Sequence, residues 1–202
     1  MFLTLILSSF LTFMELNCEN LFDTRHDSLK NDLEFLPDGS YKWTPYRYWA
    51  KLNHLGQEIV AQSNPIPDFV AMCEVENDSV MFDLTRRSLL RNAGYEYVMT
   101  SSPDERGIDV ALLYQPASFS LLHSHSIRIK PLPDTRPTRD ILYASGLIIT
   151  GDTLHVFVVH APSRRGGEQA SRPYRLHVAS QLAEAVDSVY AISRDAKIII
   201  AG

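Results

Sequence analysis

Three apolar runs in this chain each end on a polar residue able to do chemistry, and no other feature constrains the fold as strongly. Leu11-Thr12-Phe13-Met14-Glu15-Leu16 ends at Asn17, Phe69-Val70-Ala71-Met72-Cys73 at Glu74, and Val156-Phe157-Val158-Val159 at His160. A fourth run, Lys197-Ile198-Ile199-Ile200-Ala201, reaches Gly202, where the sequence ends. Runs this apolar read as strands covered on both faces. An amide, a carboxylate and an imidazole at strand ends can meet at one rim of a sheet, an arrangement suited to a metal ion and a phosphate.

Helix signals fall between the strands. Thr44-Pro45 offers an N-cap and a proline at the first helical position. Tyr48, Leu52, Leu55 and Ile59 follow at helical spacing, which predicts a helix over 46–62. Further helices are expected over 78–92 and 172–190. Strands are expected over 68–74, 95–100, 109–114 and 119–130, with a hairpin over 141–150 and 153–160 turning at Gly151-Asp152. Segments 20–46 and 131–138 read as loops, with Trp43, Tyr46, Tyr48 and Trp49 as cover for the core. Two stacked sheets with helices outside accommodate this mixture, giving an α/β class.

The 202 residues, 45% hydrophobic and 21% charged, suit one domain with a sizeable core. Residues 13–202 are read as that domain and 1–12 as a candidate leader. Leu3 to Leu7 followed by Ser8-Ser9 resembles the apolar centre of a secretory signal, but no basic segment precedes it. Export and a cytoplasmic location are left equally open. The stretch is too short to span a bilayer as a helix. A net charge of -5 does not suggest a basic nucleic-acid clamp. Cys18 and Cys73 are read as buried thiols facing away from the site.

Asn17 and Glu19 lie two residues apart, which in a regular strand puts them on one face. An amide oxygen beside a carboxylate suits a hard cation such as Mg²⁺. Glu74 follows an apolar strand, where an unpaired carboxylate is costly to desolvate; Glu76, on the same expected face, competes with it. His160-Ala161-Pro162-Ser163-Arg164-Arg165-Gly166-Gly167 groups an imidazole, a hydroxyl, two guanidinium groups and two glycines. Arginine forks bind phosphate oxygens, although a solvated basic loop is the plainer alternative. Arg106-Gly107-Ile108-Asp109 precedes another apolar strand. Arg136 and Arg139 are either phosphate ligands or surface charge.

Together these pieces resemble the endonuclease/exonuclease/phosphatase superfamily, which includes deoxyribonuclease I, apurinic endonucleases, inositol polyphosphate 5-phosphatases and neutral sphingomyelinases. The matching segments are Asn17 to Asp23, Glu74 to Asn77, Arg106 to Tyr114 and His160 to Gly167, in the family's order. The resemblance implies a four-layer α/β/β/α sandwich with its site where the two sheets meet. It implies Glu74 as ligand of a catalytic Mg²⁺ (Mn²⁺ can substitute), Asn17 beside metal and phosphate, and Glu19 as a further metal contact. It implies His160 as hydrogen-bond partner of the scissile phosphate. Arg164, Arg165, Ser163, Arg106 and Arg139 are the expected phosphate-binding groups.

The expected activity is Mg²⁺-dependent phosphate-ester hydrolysis by a monomer. Nucleic acid is the first substrate expected; a small phosphorylated molecule or lipid headgroup, hydrolysed as a monoester or phospholipid diester, is the second. The family continues past its late strand with Asp-x-Asn and Asp-His motifs, and this sequence ends at Gly202 before either. The 202 residues are therefore expected to be the first part of a composite site, inactive alone. A binding module is the reading from another class.

Overall fold

The computed structural model describes residues 10–62, 65–133, 135–164 and 166–202. Most of the candidate leader lies outside them. The first sheet contains β1 (Phe13–Leu21), β2 (Phe69–Val75), β3 (Glu96–Met99) and β4 (Asp109–Tyr114), in the order β1-β2-β4-β3. The second contains β5 (Phe119–Ile127), β6 (Ile141–Ile148), β7 (Thr153–Val158) and β8 (Lys197–Ala201), in that order. β1 runs parallel to β2, and β7 parallel to β8; the other pairings are antiparallel.

Side-chain alternation sorts the apolar residues into three cores. Phe69, Ala71 and Cys73 of β2 face the second sheet and pack with Val110, Leu112, Leu142, Ala144, Val156 and Val158. Val70 and Met72, on the opposite face, pack with Leu52 and Ile59 of helix α1 (Pro45–Ala61) and Met81 of α2 (Asp78–Phe82). Phe157 and Ile141 face α3 (Glu168–Ile192) through Val178 and Leu182. Helices, sheet, sheet and helix make four layers. β2 and β4 are central and almost wholly buried, which is why they are apolar at nearly every position.

The α1 start is as expected: Thr44 Oγ1 accepts from Arg47 N at 3.4 Å and Pro45 opens the helix. Three expected elements change. The helix expected over 78–92 breaks into α2, a π-helical turn at Asp83–Arg87 and a 3-10 turn at Leu89–Asn92. Ser88 has extended backbone, and its hydroxyl accepts from Leu90 N, a local bond that competes with helix. β5 stops at Ile127 because β6 begins opposite it at Ile141, leaving 128–130 without a partner strand. α3 starts at Glu168 rather than Arg172, with Pro173 inside it; Ser171 Oγ donates to Gly167 O at 2.9 Å and closes the first turn. Within the 20–46 segment, Leu33–Phe35 form a 3-10 turn and Phe22, Phe35 and Tyr41 stack. Tyr48 is buried as expected, whereas Tyr46 is exposed.

Asp68 ties the near ends of the strands together. Its carboxylate accepts from Thr12 N at 2.8 Å, Thr12 Oγ1 at 2.9 Å and the Ser118 hydroxyl, joining the starts of β1, β2 and β5. Burial alone would raise this carboxyl, but the bonds from Ser118 and Thr12 outweigh it and hold it below its ordinary value. A depressed carboxylate stabilises the fold above its unfolded pKa of about 3.9, and that contribution is lost as pH falls through the folded value. Asp68→Asn is expected to cost on the order of 1 kcal/mol at neutral pH, the side chain being partly solvated. The difference from wild type should shrink below about pH 4. Urea denaturation at neutral and acidic pH checks this; a pH-independent difference would contradict it.

Candidate active site

Glu74 is an inserted residue. β2 aligns Cys73 with Val110 and Val75 with Asp109 of β4, so Glu74 has no partner there. Cys73 faces the inter-sheet core and Val75 the α1 side, although in a regular strand residues two apart share a face. The extra residue accounts for the switch, and its φ is 61°. Left-handed backbone is costly for a side chain larger than glycine's. Opposite it, β1 passes from Asn17 to Leu21 while β2 passes from Cys73 to Val75. This second bulge holds Glu19 and Asn20 at φ 51° and 63°.

The two bulges meet. Asn20 N donates to Glu74 Oε2 at 2.8 Å, and Glu74 Oε1 lies 3.2 Å from His160 Nε2, just beyond β7. Glu74 and His160 are thus brought together from different sheets. Burial, reinforced by the Arg139 charge, lowers the His160 pKa against the opposing pull of Glu74. The ring is therefore neutral at pH 7, and the proton on Nε2 is inferred from its acceptor-only carboxylate partner.

Arg139 is buried behind this pair. Its guanidinium reaches Asp104 Oδ2 at 3.4 Å and donates to Ala161 O at 3.1 Å, while its Nε has no hydrogen-bond partner. Asp104 also lies 3.8 Å from Arg106 Nε. Asp109 accepts from Ser102 N and from the Thr100 and Ser102 hydroxyls, shaping the turn that carries Asp104. A cleft of about 540 Å³ opens onto these groups, walled by the 104–106 turn, the 135–139 loop, Ser163 and the first turns of α3.

Asn17 and Glu19 are both exposed at the rim. The bulge breaks the regular alternation on which the shared-face argument rests, and Asn17 Oδ1 accepts from Glu19 N at 3.1 Å. Ser163, Arg106 and Arg139 line the cleft with Glu74 and His160. Arg164 is exposed and pairs with Glu168 at 3.2 Å. Arg165 lies outside the described residues. Glu76 accepts from Asp23 N at 2.7 Å in a separate hollow, and burial among nearby aspartates pushes its carboxyl up to about 8. Cys18 faces α1 and Cys73 the other sheet; both thiols are free and raised in pKa by burial. Sequence reasoning missed Asp104, whose partner Arg139 lies far along the chain, and Asn20 as a backbone donor.

Among the described residues no group of three or more His, Cys, Asp or Glu converges to hold a metal. Mg²⁺ needs fewer protein ligands, taking one or two carboxylates and completing its shell with water and substrate phosphate. Each Glu74 oxygen accepts one hydrogen bond, from Asn20 N or His160 Nε2, and keeps lone-pair capacity for a cation. This hard-oxygen rim fits such an ion.

A model of the Endonuclease/Exonuclease/phosphatase family matches residues 12–202. No curated protein matches the chain in sequence. Among solved structures, a Bacteroides thetaiotaomicron mannosyl-6-phosphatase superposes with a TM-score of 0.63 at 16% identity, over 94% of this chain and 63% of that one. D. rerio TDP2 complexed with single strand DNA product gives 0.59 at 18%, over 94% and 58%. The human Nocturnin catalytic domain with bound sulfate anion gives 0.56 at 20%, over 75% and 54%. At these identities the likeness is one of fold. The chain spans less than two thirds of the length of each.

The left-handed backbone at Glu74 has a measurable cost. Glu74→Ala and Glu74→Gly both remove the carboxylate, but only glycine relaxes the bulge. Glu74→Gly is expected to be more stable than Glu74→Ala by about 1 kcal/mol, a Tm difference of about 2–4 °C. Thermal unfolding of the two variants checks this, and equal Tm values would mean the bulge stores no strain.

Proposed function

Because the chain belongs to the endonuclease/exonuclease/phosphatase family, whose members are phosphoric ester hydrolases and generally depend on a divalent metal, we propose that the full protein hydrolyses a phosphate ester at the Glu74–His160 rim. The observation that carries this reading is the strained, inserted Glu74, aimed out of both cores onto His160 of the other sheet. A Mg²⁺ ion (or Mn²⁺), held by Glu74 with Asn17 beside it and Glu19 as an outer contact, would supply Lewis-acid stabilisation of charge on the phosphoryl oxygens. His160 Nε2–H is the donor a substrate phosphate oxygen would take over. Arg139 and Arg106 line the same cleft, and their guanidinium groups would offer charge-assisted bonds to the other oxygens. Ser163 adds a hydroxyl at the mouth, and Arg164 is a reserve cation on the adjoining loop.

Nucleic acid is the substrate that the D. rerio TDP2 complex brings to mind. The cleft favours the second reading, a small phosphorylated polyol. Its lining carries Glu74, Asp104 and Glu105 against Arg106, Arg136 and Arg139, a balance unlike the positive grooves that track polynucleotides. Thr135, Ser163, Ser171 and Tyr174 line it with hydroxyl-bearing side chains, a chemistry that matches ligand hydroxyls. The mannosyl-6-phosphatase comparison is consistent with this.

The test is turnover by the full-length protein with Mg²⁺ or Mn²⁺, read as phosphate released from sugar and inositol phosphates, nucleotides or shortened strands from single-stranded DNA and RNA, nicked or linear plasmid DNA, and phosphocholine from sphingomyelin. Sugar or inositol phosphates are expected to turn over fastest, and Glu74→Gln to lower kcat by about 100-fold or more. Full activity in Glu74→Gln would overturn the site. No turnover of any ester would favour a binding module.

A further inference from the structure

The geometry points to Lys51, in the middle of α1, as a positioning residue that holds the Glu19–Asn20 bulge and through it the Glu74 carboxylate. The inference builds on the reading of Glu74 as the metal-holding group. Residues 19 and 20 are consecutive left-handed residues, neither of them glycine. Left-handed backbone is disfavoured for residues carrying a Cβ, so a consecutive pair needs support from outside the bulge. The strand ladder does not: β1 has three residues between Asn17 and Leu21 where β2 has one. The carbonyls of the bulge turn out of the sheet towards α1.

Lys51 meets them there. Its Nζ lies 2.6 Å from Glu19 O and 3.3 Å from Asn20 O, and sits 5.4 Å over the Trp43 ring. The Trp43 indole N–H donates to Phe22 O at 2.9 Å, fixing the platform to the chain just past the bulge. Asn20 O also accepts from Phe22 N at 3.1 Å. With its carbonyls held from the α1 side, the bulge directs Asn20 N–H at Glu74 Oε2, 2.8 Å away. Lys51 is itself partly buried; burial lowers its pKa while the carboxylates of Glu19 and Glu74 oppose the shift. One ammonium therefore caps the strained backbone and places positive charge behind the carboxylate that bonds His160. An ordinary surface staple between helix and strand would not need to converge on two left-handed residues.

The experiment compares Lys51→Met and Lys51→Arg in the full-length protein by residue-resolved amide exchange, Mg²⁺ titration calorimetry and kinetics on the best ester found. Lys51→Met is expected to speed exchange of the Asn20 amide while leaving that of Leu16, in the regular part of β1, unchanged. It should weaken Mg²⁺ binding or lower kcat by about 10- to 100-fold, the range for residues supporting a metal ligand. KM should stay within about threefold, because no substrate-binding group is removed. Lys51→Arg keeps a cationic donor and should retain most of the Asn20 protection and kcat. Unchanged Asn20 exchange in folded Lys51→Met would overturn the proposal, as would faster exchange with kcat and Mg²⁺ affinity intact. Should Lys51→Met not fold, Lys51→Gln replaces it, and equal losses in Lys51→Arg and Lys51→Gln would also count against the role. If wild type turns over no ester, the proposed function fails, and Asn20 exchange with Mg²⁺ affinity still decides the role of Lys51.

Discussion

The hydrogen bond from Asn20 N to Glu74 Oε2 joins two departures from regular strand geometry, and the candidate site depends on it. Had β2 kept its alternation, residue 74 would follow Val70 and Met72 towards the α1 core, where a carboxylate is costly to bury. The inserted residue turns that side chain to the rim instead. The insertion leaves Glu74 at positive φ, and the second bulge repeats the cost at Glu19 and Asn20. Strain of this kind persists only where the surroundings over-determine it. Here they do: β4 pairs on both sides of Glu74, α1 supplies Lys51, and His160 bonds the carboxylate's second oxygen.

The other side of the site is organised by charge rather than by backbone. Arg139 bridges Asp104 and the Ala161 carbonyl, so the residue after His160 is fixed to the 102–106 turn. That turn is in turn shaped by Asp109, and Ser102 Oγ accepts from Asp140 N at 3.0 Å, beside the start of β6. A buried ion pair contributes little net stability once desolvation is counted. Its value here is specificity of position, and the Arg139 charge helps keep His160 neutral.

The strands and their polar ends were legible because apolar runs need no partner information to be read, and Asn17, Glu74 and His160 stand where those runs lose their pattern. The α1 cap was legible for a similar local reason. The bulges were not. A one-residue insertion leaves no mark in a run such as Cys73-Glu74-Val75, and assuming regular pleats put Asn17 with Glu19, and Glu74 with Glu76, on shared faces. Both pairs span a bulge instead, and Glu74 and Glu76 line different hollows. Likewise the break at Ser88 depends on whether its hydroxyl serves a helix or a cap, and Asp104 becomes meaningful only with Arg139 folded against it.

A site drawn from two sheets is only as well defined as the registration of those sheets. Glu74 and His160 sit at one end of the inter-sheet core, where the Cys73 thiol also lies 3.9 Å from the Val159 carbonyl. The other end is closed by aromatic packing: Phe13 stacks on Phe69, and Phe119 meets the edges of Phe69 and Tyr114. Such pairs contribute about 0.5–1.5 kcal/mol each beyond the area they bury. Asp68 adds bonds to Thr12 and Ser118 at that same end. Phe69 and Glu74 are the two ends of one short strand, separated by roughly 17 Å at the usual rise. A sheet held at the aromatic end has little freedom to slide at the other, so the packing at Phe69 helps maintain the Glu74–His160 distance without touching either residue.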